Sequence, residues 1–401
     1  MSNTSFASID FRKFHEQELP QRIAAGNGAL AAEGVKNSGA LAFRTEGGDE
    51  AYTYVPTADS IEIRPGDRDA RTVVRVPRKA WEGLVHDLES PPSLLYHGEA
   101  ECVRGDLMHF VQWEAALRAL YTGRPVYAPD RVELRGLHGE PLDPTQAFHI
   151  DSDREEMAHF LREVGYLFVK NLFSPSEVES FRAAGEELRR LAEPGDQKSW
   201  WGKNDQGEDV LCRVIEAGCM PALGPLPQDP RIQQLVALSD TPMVAKPIGD
   251  RDSVSVLWKN PGMNEGLSDL PWHRDCGMGG HAAMCPTLVG SIFLSENSNE
   301  SGPLRFLPGS WKKSYRFAQA DDESALEGVL IPAEAGDFTL HYGDGWHTAP
   351  PPSGREGPFR SCVLISFERE GAFNHRGERH YNDVLLSEDG QVDALTKLAG
   401  A

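Results

Sequence analysis

The chain has 401 residues, of which 40% are hydrophobic, with 8 Trp and 17 Phe; this is enough for two domains with real cores and predicts a globular protein throughout. Its 61 acidic residues outnumber its 40 basic ones and give a formal net charge of −21, which would repel phosphate backbones and anionic lipid surfaces, so nucleic acid is not an expected partner. No signal-type N-terminus and no run approaching the roughly 20 apolar residues of a membrane span occur in the sequence, and we therefore expect a cytoplasmic protein.

The first segments predict a helix followed by a small sheet. Residues 1 to about 30 predict a helical lead-in: Phe11, Phe14, Leu19 and Ile23 recur at helical spacing, and Gly26 and Gly28 follow them. Between Leu41 and Val76, four short segments of partly alternating apolar residues are separated by clusters of Gly, Asp and Pro. This pattern predicts four strands arranged as an antiparallel meander.

Helical patterns follow the strands over residues 78–89 and 107–121, and the whole predicts a small α+β accessory domain at residues 1–135. The meander and the later stretch GEAECVRGDLMHFVQWEAALRALYTGRP resemble the sterol-carrier-protein lipid-binding fold, with its late strand, small-residue turn and closing helix. The resemblance implies a lipid-carrying module. A plain structural or dimerising domain is the alternative, and the oligomeric state cannot be read from the sequence.

The rest of the chain predicts a mostly β domain. Residues 125–144 are punctuated by Pro and Gly, which places the domain boundary near 130–150 and the second domain at residues 145–401. Ser174 is positioned to cap a helix, and short strands with tight turns follow it. We expect a double-stranded β-helix, a jelly roll of the cupin type with flanking helices. Its strands are predicted in GYLFVKNLF, SVSVLWK, LVGSIFL, GDFTLHYG and RSCVLISFE.

A candidate metal site lies in this second domain. His273 and Asp275 are two residues apart, so on one extended strand both side chains face the same side and can hold one ion. A second histidine, His347, follows much later in the chain. Two histidines and one carboxylate in this order are typical of the facial triad of non-haem Fe(II) oxygenases, which leaves metal positions open for an oxo-acid and O2.

Three histidines compete for the distal ligand position. His347 comes after the turn Gly343–Trp346, where a new strand begins, whereas His341 lies inside the preceding strand. We therefore choose His347 as the ligand and expect His341 to be a core residue or a neighbour of the ligands. His281, in a Gly-rich turn, is a weaker candidate for a ligand or a substrate contact.

An anionic co-substrate needs a fixed cation, and the planar fork of an Arg suits the distal carboxylate of 2-oxoglutarate. Arg360 stands at the head of an apolar strand and is the candidate for this role, while Arg355 lies in a loop rich in Gly and Pro that is expected to face solvent. Lys259, in the strand ahead of the metal pair, is the candidate for a second positive contact; the alternative is a surface lysine.

The stretch from about 250 to 369 resembles the phytanoyl-CoA dioxygenase family of Fe(II)/2-oxoglutarate-dependent oxygenases. The matching pieces occur in order along the chain: Lys259, the PWHRD block, SENSNESGPLRFLPGSW, GDFTLHYGDGWHTAP and Arg360. The resemblance implies that His273, Asp275 and His347 bind Fe(II) and that Arg360 anchors 2-oxoglutarate. It also implies that O2 and 2-oxoglutarate are converted to succinate and CO2 while a C–H bond of a substrate is hydroxylated.

The sequence departs from the family pattern at two positions near these blocks. Trp311 stands where the family usually has His after Pro-Gly-Ser, and Ala349 stands where a small hydroxyl residue is common. The loop before Arg360 is also longer than usual. Asp275 is retained, which argues against a halogenase, where a residue that does not bind the metal opens a place for halide.

The sequence constrains the substrate only to a class. Five tryptophans could line an apolar pocket or belong to the core: Trp200, Trp201, Trp258, Trp272 and Trp311. We expect a small, apolar metabolite, with lipids, terpenoids and sterol-like compounds favoured if the first domain carries lipid. Desaturation, epimerisation and cyclisation would use the same residues as hydroxylation. The alternatives are a non-catalytic metal- and lipid-binding protein of jelly-roll fold, and a cupin-like isomerase or hydrolase in which Arg360 would be dispensable.

Overall fold

The structure is a computed structural model of the full chain. It describes residues 6–47, 50–247, 253–263, 270–278, 283, 287–319, 322–323, 325–357, 359–370 and 390–400. His281 lies outside these residues. None of the helices within the described ranges is both long and apolar enough to cross a membrane.

The N-terminal helical segment runs further than the sequence predicted. It comprises α1 (Phe11–Lys13), α2 (Leu19–Arg22) and α3 (Gly28–Gly34), joined by the π-helical turns Phe14–Glu18 and Ile23–Asn27. Gly26 has φ 116° and kinks the segment without ending it. Glycine adopts this conformation without steric penalty, so the helix resumes after it and ends at Gly34, a few residues beyond the predicted limit near residue 30.

A five-stranded sheet follows, with strand order β3-β2-β1-β4-β5. β1 pairs antiparallel with β2 but parallel with β4, in the register Leu41↔Thr72. The predicted antiparallel meander was therefore wrong in its pairing, although its strands are confirmed. Alternation of apolar residues marks a strand but does not say which neighbour it pairs with. The strands are β1 (Leu41–Thr45), β2 (Ala51–Pro56), β3 (Ile61–Pro65), β4 (Thr72–Val76) and β5 (Glu101–Arg104).

Four short helices complete the module. The sequence predicted α4 (Arg78–Val85) and the region of α6 (Leu107–Gln112) and α7 (Glu114–Thr122), but it missed α5 (Pro91–Tyr96). Two prolines concealed that helix. They are tolerated because they occupy its first turn, where Ser90 forms a capping box with Ser93.

The apolar core of this module is not closed by the module alone. Its buried cluster includes Trp81 and Trp113 from the module, together with Phe317 and Leu395 from the later part of the chain. Leu395 belongs to the C-terminal helix α11 (Leu395–Ala399). The division into domains at 1–135 and 145–401 remains a prediction, and the two parts share packing across it.

The second part has the predicted mostly β, jelly-roll fold. An eight-stranded sheet has the order β6-β15-β12-β17-β10-β8-β7, with β9 paired to β17, and faces a four-stranded sheet of order β11-β16-β13-β14. The pairings that join the centre of the large sheet, β12 with β15 and with β17, are antiparallel. The double-stranded β-helix prediction is confirmed.

The strands of the large sheet are β6 (Tyr166–Val169), β7 (Ser199–Lys203), β8 (Asp209–Val214), β9 (Met243–Ala245), β10 (Val254–Trp258), β12 (Thr287–Phe293), β15 (Phe338–Tyr342) and β17 (Ser361–Arg369). The strands of the small sheet are β11 (Leu270–His273), β13 (Arg305–Phe306), β14 (Val329–Leu330) and β16 (His347–Ala349). The flanking helices are α8 (Arg154–Val164), α9 (Pro175–Leu191) and α10 (Pro230–Val236), with short 3-10 turns at Pro129–Arg131, Ala217–Cys219, Leu226–Gln228 and Ser310–Lys312.

The two faces of the large sheet differ in chemistry. One face packs on α9, where Gly185 allows Val256 and Trp258 to approach the helix backbone closely. The opposite face carries the alternate residues of the same strands and looks toward the small sheet, where His341 lies 5.1 Å from the Phe306 ring. This inner face is rich in small polar groups, among them Ser255, Ser291, Thr339, His341 and Cys362. The interior between the sheets is therefore polar at one end, where the candidate site lies.

Candidate functional site

Strand pairing brings the two predicted histidine ligands together. β11 pairs antiparallel with β16, and their register places His273 opposite His347. The two imidazole rings have centroids 4.2 Å apart. Residues distant in the sequence thus become direct cross-strand neighbours, as a shared ion would require.

Asp275 lies between the two histidines. Its Oδ1 is 3.8 Å from Nε2 of His273 and 3.9 Å from Nε2 of His347. One potential ligand atom from each of the three residues falls within 4.8 Å of the other two. The Asp275 side chain keeps 34% of its surface exposed, whereas the two histidine side chains keep 9% and 8%. The cluster is therefore enclosed on the histidine side and open beside the carboxylate.

Hydrogen bonds orient both imidazoles for ligation. Nδ1 of His273 donates to the Pro271 carbonyl at 2.8 Å, and Nδ1 of His347 donates to the Gly345 carbonyl at 3.0 Å. Each bond places the proton on Nδ1 and leaves the Nε2 lone pair directed toward Asp275. Two neutral imidazoles and one carboxylate form a donor set that fits Fe(II).

The electrostatics of the cluster agree with this assignment of protons. Burial lowers the pKa of His273 and lowers that of His347 to about 3, so both rings are neutral near pH 7. Burial acts to raise the pKa of Asp275, but the surrounding imidazoles outweigh it and hold this pKa below its usual range. The ionised carboxylate and the neutral rings are the protonation states that bind a divalent metal.

His341 contacts the other oxygen of the same carboxylate. Its Nε2 lies 3.3 Å from Oδ2 of Asp275, whereas the other two histidines approach Oδ1. Nδ1 of His341 is buried and has no hydrogen-bond partner in the part of the chain that the structure describes. His341 thus contacts the second oxygen of Asp275, and its ring centroid lies 4.7 Å from that of His347. This contact was not foreseen, although its place in the strand predicted a neighbour of the site.

Arg360 and Lys259 are both buried on the inner face, with 3% and 1% of their surfaces exposed. Nε of Arg360 donates to the Gly302 carbonyl at 2.9 Å, and Nη1 lies 3.7 Å from Sγ of Cys362. Lys259 donates from Nζ to the carbonyl of Ala349, next but one to His347. Lys259 is thus connected to the strand that begins with His347, and Arg360 to the turn that precedes β13.

Arg360 lacks a counter-charge within the described residues, since no carboxylate there forms an ion pair with it. Burial lowers its pKa. Burying a guanidinium without an anion is unfavourable, so the arrangement suits an anionic ligand. Arg355, by contrast, is 68% exposed and pairs with Asp205, as expected for a residue facing solvent.

The tryptophans do not form one pocket. Trp258 faces α9, Trp272 is buried beside Tyr315, and Trp311 stacks on Tyr342 while donating to the Arg162 carbonyl. Trp200 lies under the Arg213 guanidinium at 4.6 Å. Most of this set therefore packs in the core, which is the second of the two alternatives that the sequence left open for these residues.

One protein-family model matches part of the chain, and the matched residues include His273, Asp275 and His347. The family model described as phytanoyl-CoA dioxygenase (PhyH) matches residues 161–357. A comparison with curated proteins found no match.

Solved structures with a similar chain trace include EvdMO1, with 21% identity over 54% of this chain and a TM-score of 0.43. AviO1 from Streptomyces viridochromogenes Tue57 has 22% identity over 55% of this chain and a TM-score of 0.42. The carbocyclase SnoK from nogalamycin biosynthesis has 23% identity over 56% and a TM-score of 0.41. The matched regions cover 50% of EvdMO1, 97% of AviO1 and 87% of SnoK.

Proposed function

Because residues 161–357 match the family model described as phytanoyl-CoA dioxygenase (PhyH), we propose that this protein is an Fe(II)/2-oxoglutarate-dependent enzyme that oxidises an unactivated C–H bond of a small apolar metabolite. The reaction would consume 2-oxoglutarate and O2 and release succinate and CO2. Hydroxylation is the outcome we propose for the substrate.

His273, Asp275 and His347 would hold the iron. The observation that carries this proposal is the cross-strand pairing of His273 with His347, with both Nε2 atoms directed at Asp275 Oδ1. When bound, Fe(II) supplies the redox chemistry that couples decarboxylation of 2-oxoglutarate to oxidation of the substrate. The protein keeps two ligands neutral and one ionised, and it leaves the side of Asp275 open.

Arg360 would anchor the distal carboxylate of 2-oxoglutarate, with Lys259 as a second positive contact. Both side chains are buried on the inner face, and an anion is what Arg360 lacks in the described part of the chain. A planar guanidinium can bind a carboxylate through two parallel hydrogen bonds. The same face offers apolar surface to a substrate at Val289 and Leu364, which stay partly exposed although they lie in central strands. Lipids, terpenoids and sterol-like compounds are the first candidates to screen.

Anaerobic titration of the protein with Fe(II) and 2-oxoglutarate tests this function. We expect the weak visible charge-transfer band of an oxo-acid chelated to ferrous iron, because the proposed triad leaves adjacent metal positions open. His273→Ala should abolish the band, and Arg355→Ala, at an exposed residue outside the cluster, should retain it. A folded wild-type protein that binds iron but gives no band would contradict the dioxygenase and favour the non-catalytic alternative.

A further inference from the structure

A cluster of buried charges joins the N-terminal module to the loops that carry the proposed metal ligands. The module contributes Asp87, Glu114, Arg118 and Arg124, and the jelly roll contributes Arg274 and Asp344. Three carboxylates face three guanidinium groups, so the cluster is balanced in charge. Neither the family motif nor the proposed reaction accounts for it.

The contacts of the cluster are short and mostly shielded from water. Arg274 donates to Glu114 at 2.7 Å and to Asp344 at 3.2 Å, and these three side chains are at most 7% exposed. Arg118 donates to Asp87 at 2.9 Å and to Asp344 at 3.3 Å. Glu114 and Arg118 are one helical turn apart on α7, so a single face of this helix presents both charges to the jelly roll.

Each jelly-roll member of the cluster is next to a proposed ligand. Arg274 stands between His273 and Asp275, and Asp344 belongs to the turn that leads into His347. The next residues are also held by the module: Ser90 donates to the Gly277 carbonyl, and Met278 packs against the core of the module. Gly277 has φ +83°, and a Cβ at this position would lie 3.0 Å from the Arg274 guanidinium. The module thus contacts Arg274, Gly277 and Met278, which belong to the segment that carries the proposed ligands His273 and Asp275.

We propose that the N-terminal module is a positioning element of the metal centre and that Glu114 and Arg118 are its positioning residues. This inference rests on the proposed function, because it takes His273, Asp275 and His347 as the metal ligands. His273 is the last residue of β11, and the next two side chains have different neighbours: Asp275 approaches His273 and His347, whereas Arg274 contacts Glu114 and Asp344. Fixing Arg274 therefore fixes the rotation of this segment about its own axis.

Binding of Mn²⁺, a redox-inert substitute for Fe²⁺, measures this role without turnover. Free Mn²⁺ is followed by its electron paramagnetic resonance signal as the full-length protein is titrated. We expect Glu114→Gln to weaken Mn²⁺ binding about tenfold, the lower end of the effect of residues that orient metal ligands. Glu114 contacts the segment between His273 and Asp275 through the Arg274 guanidinium, so we expect the effect to pass through this side chain.

Two further variants separate positioning from general loss of stability. Asp337→Asn removes another fully buried carboxylate, which lies at the start of β15, pairs with Lys170 at 2.7 Å and is not part of the cluster. This variant should keep its Mn²⁺ affinity within about twofold of the wild type, whereas Glu114→Gln should lose roughly tenfold. Glu114→Asp keeps the charge and should recover part of the affinity. Circular dichroism at the titration temperature verifies that each variant is folded.

The outcomes distinguish this inference from the function on which it rests. Wild-type protein that binds no Mn²⁺, or binds it equally well as His273→Ala, would overturn the metal centre and the positioning role with it. Wild-type binding that Glu114→Gln leaves unchanged, or that Asp337→Asn weakens as much, would overturn the positioning role alone. Selective weakening in Glu114→Gln, with partial recovery in Glu114→Asp, is the result we expect.

Discussion

At the scale of single residues, the site depends on the hydrogen-bond or ion-pair partner of each polar atom. Asp275 divides its two oxygens, one facing His273 and His347 and the other accepting from His341. Backbone carbonyls take the Nδ1 protons of both proposed ligands. Arg360 differs from these residues. It is buried and contacts the Gly302 carbonyl and the Cys362 thiol, but it has no anionic partner within the described ranges. It is the residue whose environment a bound co-substrate would change most.

Replacing Arg360 by Leu should raise the KM for 2-oxoglutarate by more than about tenfold, because losing one partner of a buried charge pair costs about 2 kcal/mol or more. Arg360→Lys should recover only part of this affinity, since an ammonium group cannot form two parallel bonds to a carboxylate. Succinate release at varied 2-oxoglutarate concentration gives the KM, with Arg355→Ala as control. An unchanged KM in Arg360→Leu would favour the isomerase or hydrolase alternative.

At the scale of elements, the turns as well as the strands determine where the side chains of the inner face lie. The turn before β13 contains Gly302, which has φ +84° and whose carbonyl accepts from Arg360. A Cβ on Gly302 would lie 2.9 Å from Cγ of Lys259 and 3.1 Å from the Pro350 carbonyl. This glycine therefore serves two purposes at once: it permits the left-handed turn, and it leaves room for the Lys259 stem beneath it.

The variant Gly302→Ala separates these two purposes when it is compared with Gly207→Ala. Gly207 has φ +78° and open space around its missing Cβ. Both variants should lose about 1–2 kcal/mol of unfolding free energy in urea, because alanine resists the left-handed conformation. Only Gly302→Ala should also weaken the charge-transfer titration with 2-oxoglutarate, since it displaces Lys259. Equal behaviour of the two variants would show that Lys259 has no part in binding.

At the scale of the whole molecule, the two parts of the chain are joined by apolar packing as well as by charge. Phe317, from the jelly-roll part, is 6% exposed and lies in the core cluster of the N-terminal module, as does Leu395 of α11. Burial of such side chains is worth about 1.5–3 kcal/mol each. A module held by its neighbour's side chains is expected to unfold together with it.

Phe317→Ala tests this coupling. Truncating a buried Phe costs about 3–5 kcal/mol, and we expect the loss to appear as reduced amide-exchange protection both in β1–β5 and in β10–β17. Hydrogen exchange followed by mass spectrometry reports the two regions separately. Reduced protection in β1–β5 alone would mean that the module unfolds independently, in agreement with a freely appended domain.

Much of the fold could be predicted because its signals are local. Period-two alternation gave the strands, the capping position of Ser174 gave α9, and the two-residue spacing of His273 and Asp275 gave two candidate ligands, although β11 ends at His273 and Asp275 follows it. The jelly-roll class followed from many short strands after a pair of helices. The order PWHRD, then GDGWH, then Arg360 gave the resemblance to the phytanoyl-CoA dioxygenase family, whose model matches residues 161–357.

The tertiary structure decided what depends on contacts between distant segments. It placed β4 parallel to β1, put His341 on the second oxygen of Asp275, and packed Trp258 and Trp311 in the core outside the space between the two sheets. It also paired Arg274 with Glu114. The sequence showed Arg274 only as the residue between two candidate ligands and gave no sign of this contact. Sequence by itself determined the periodicities and the candidate ligands, because these follow from backbone geometry within a few residues. Strand partners and buried charge pairs depend on long-range packing, and only the folded chain specifies them.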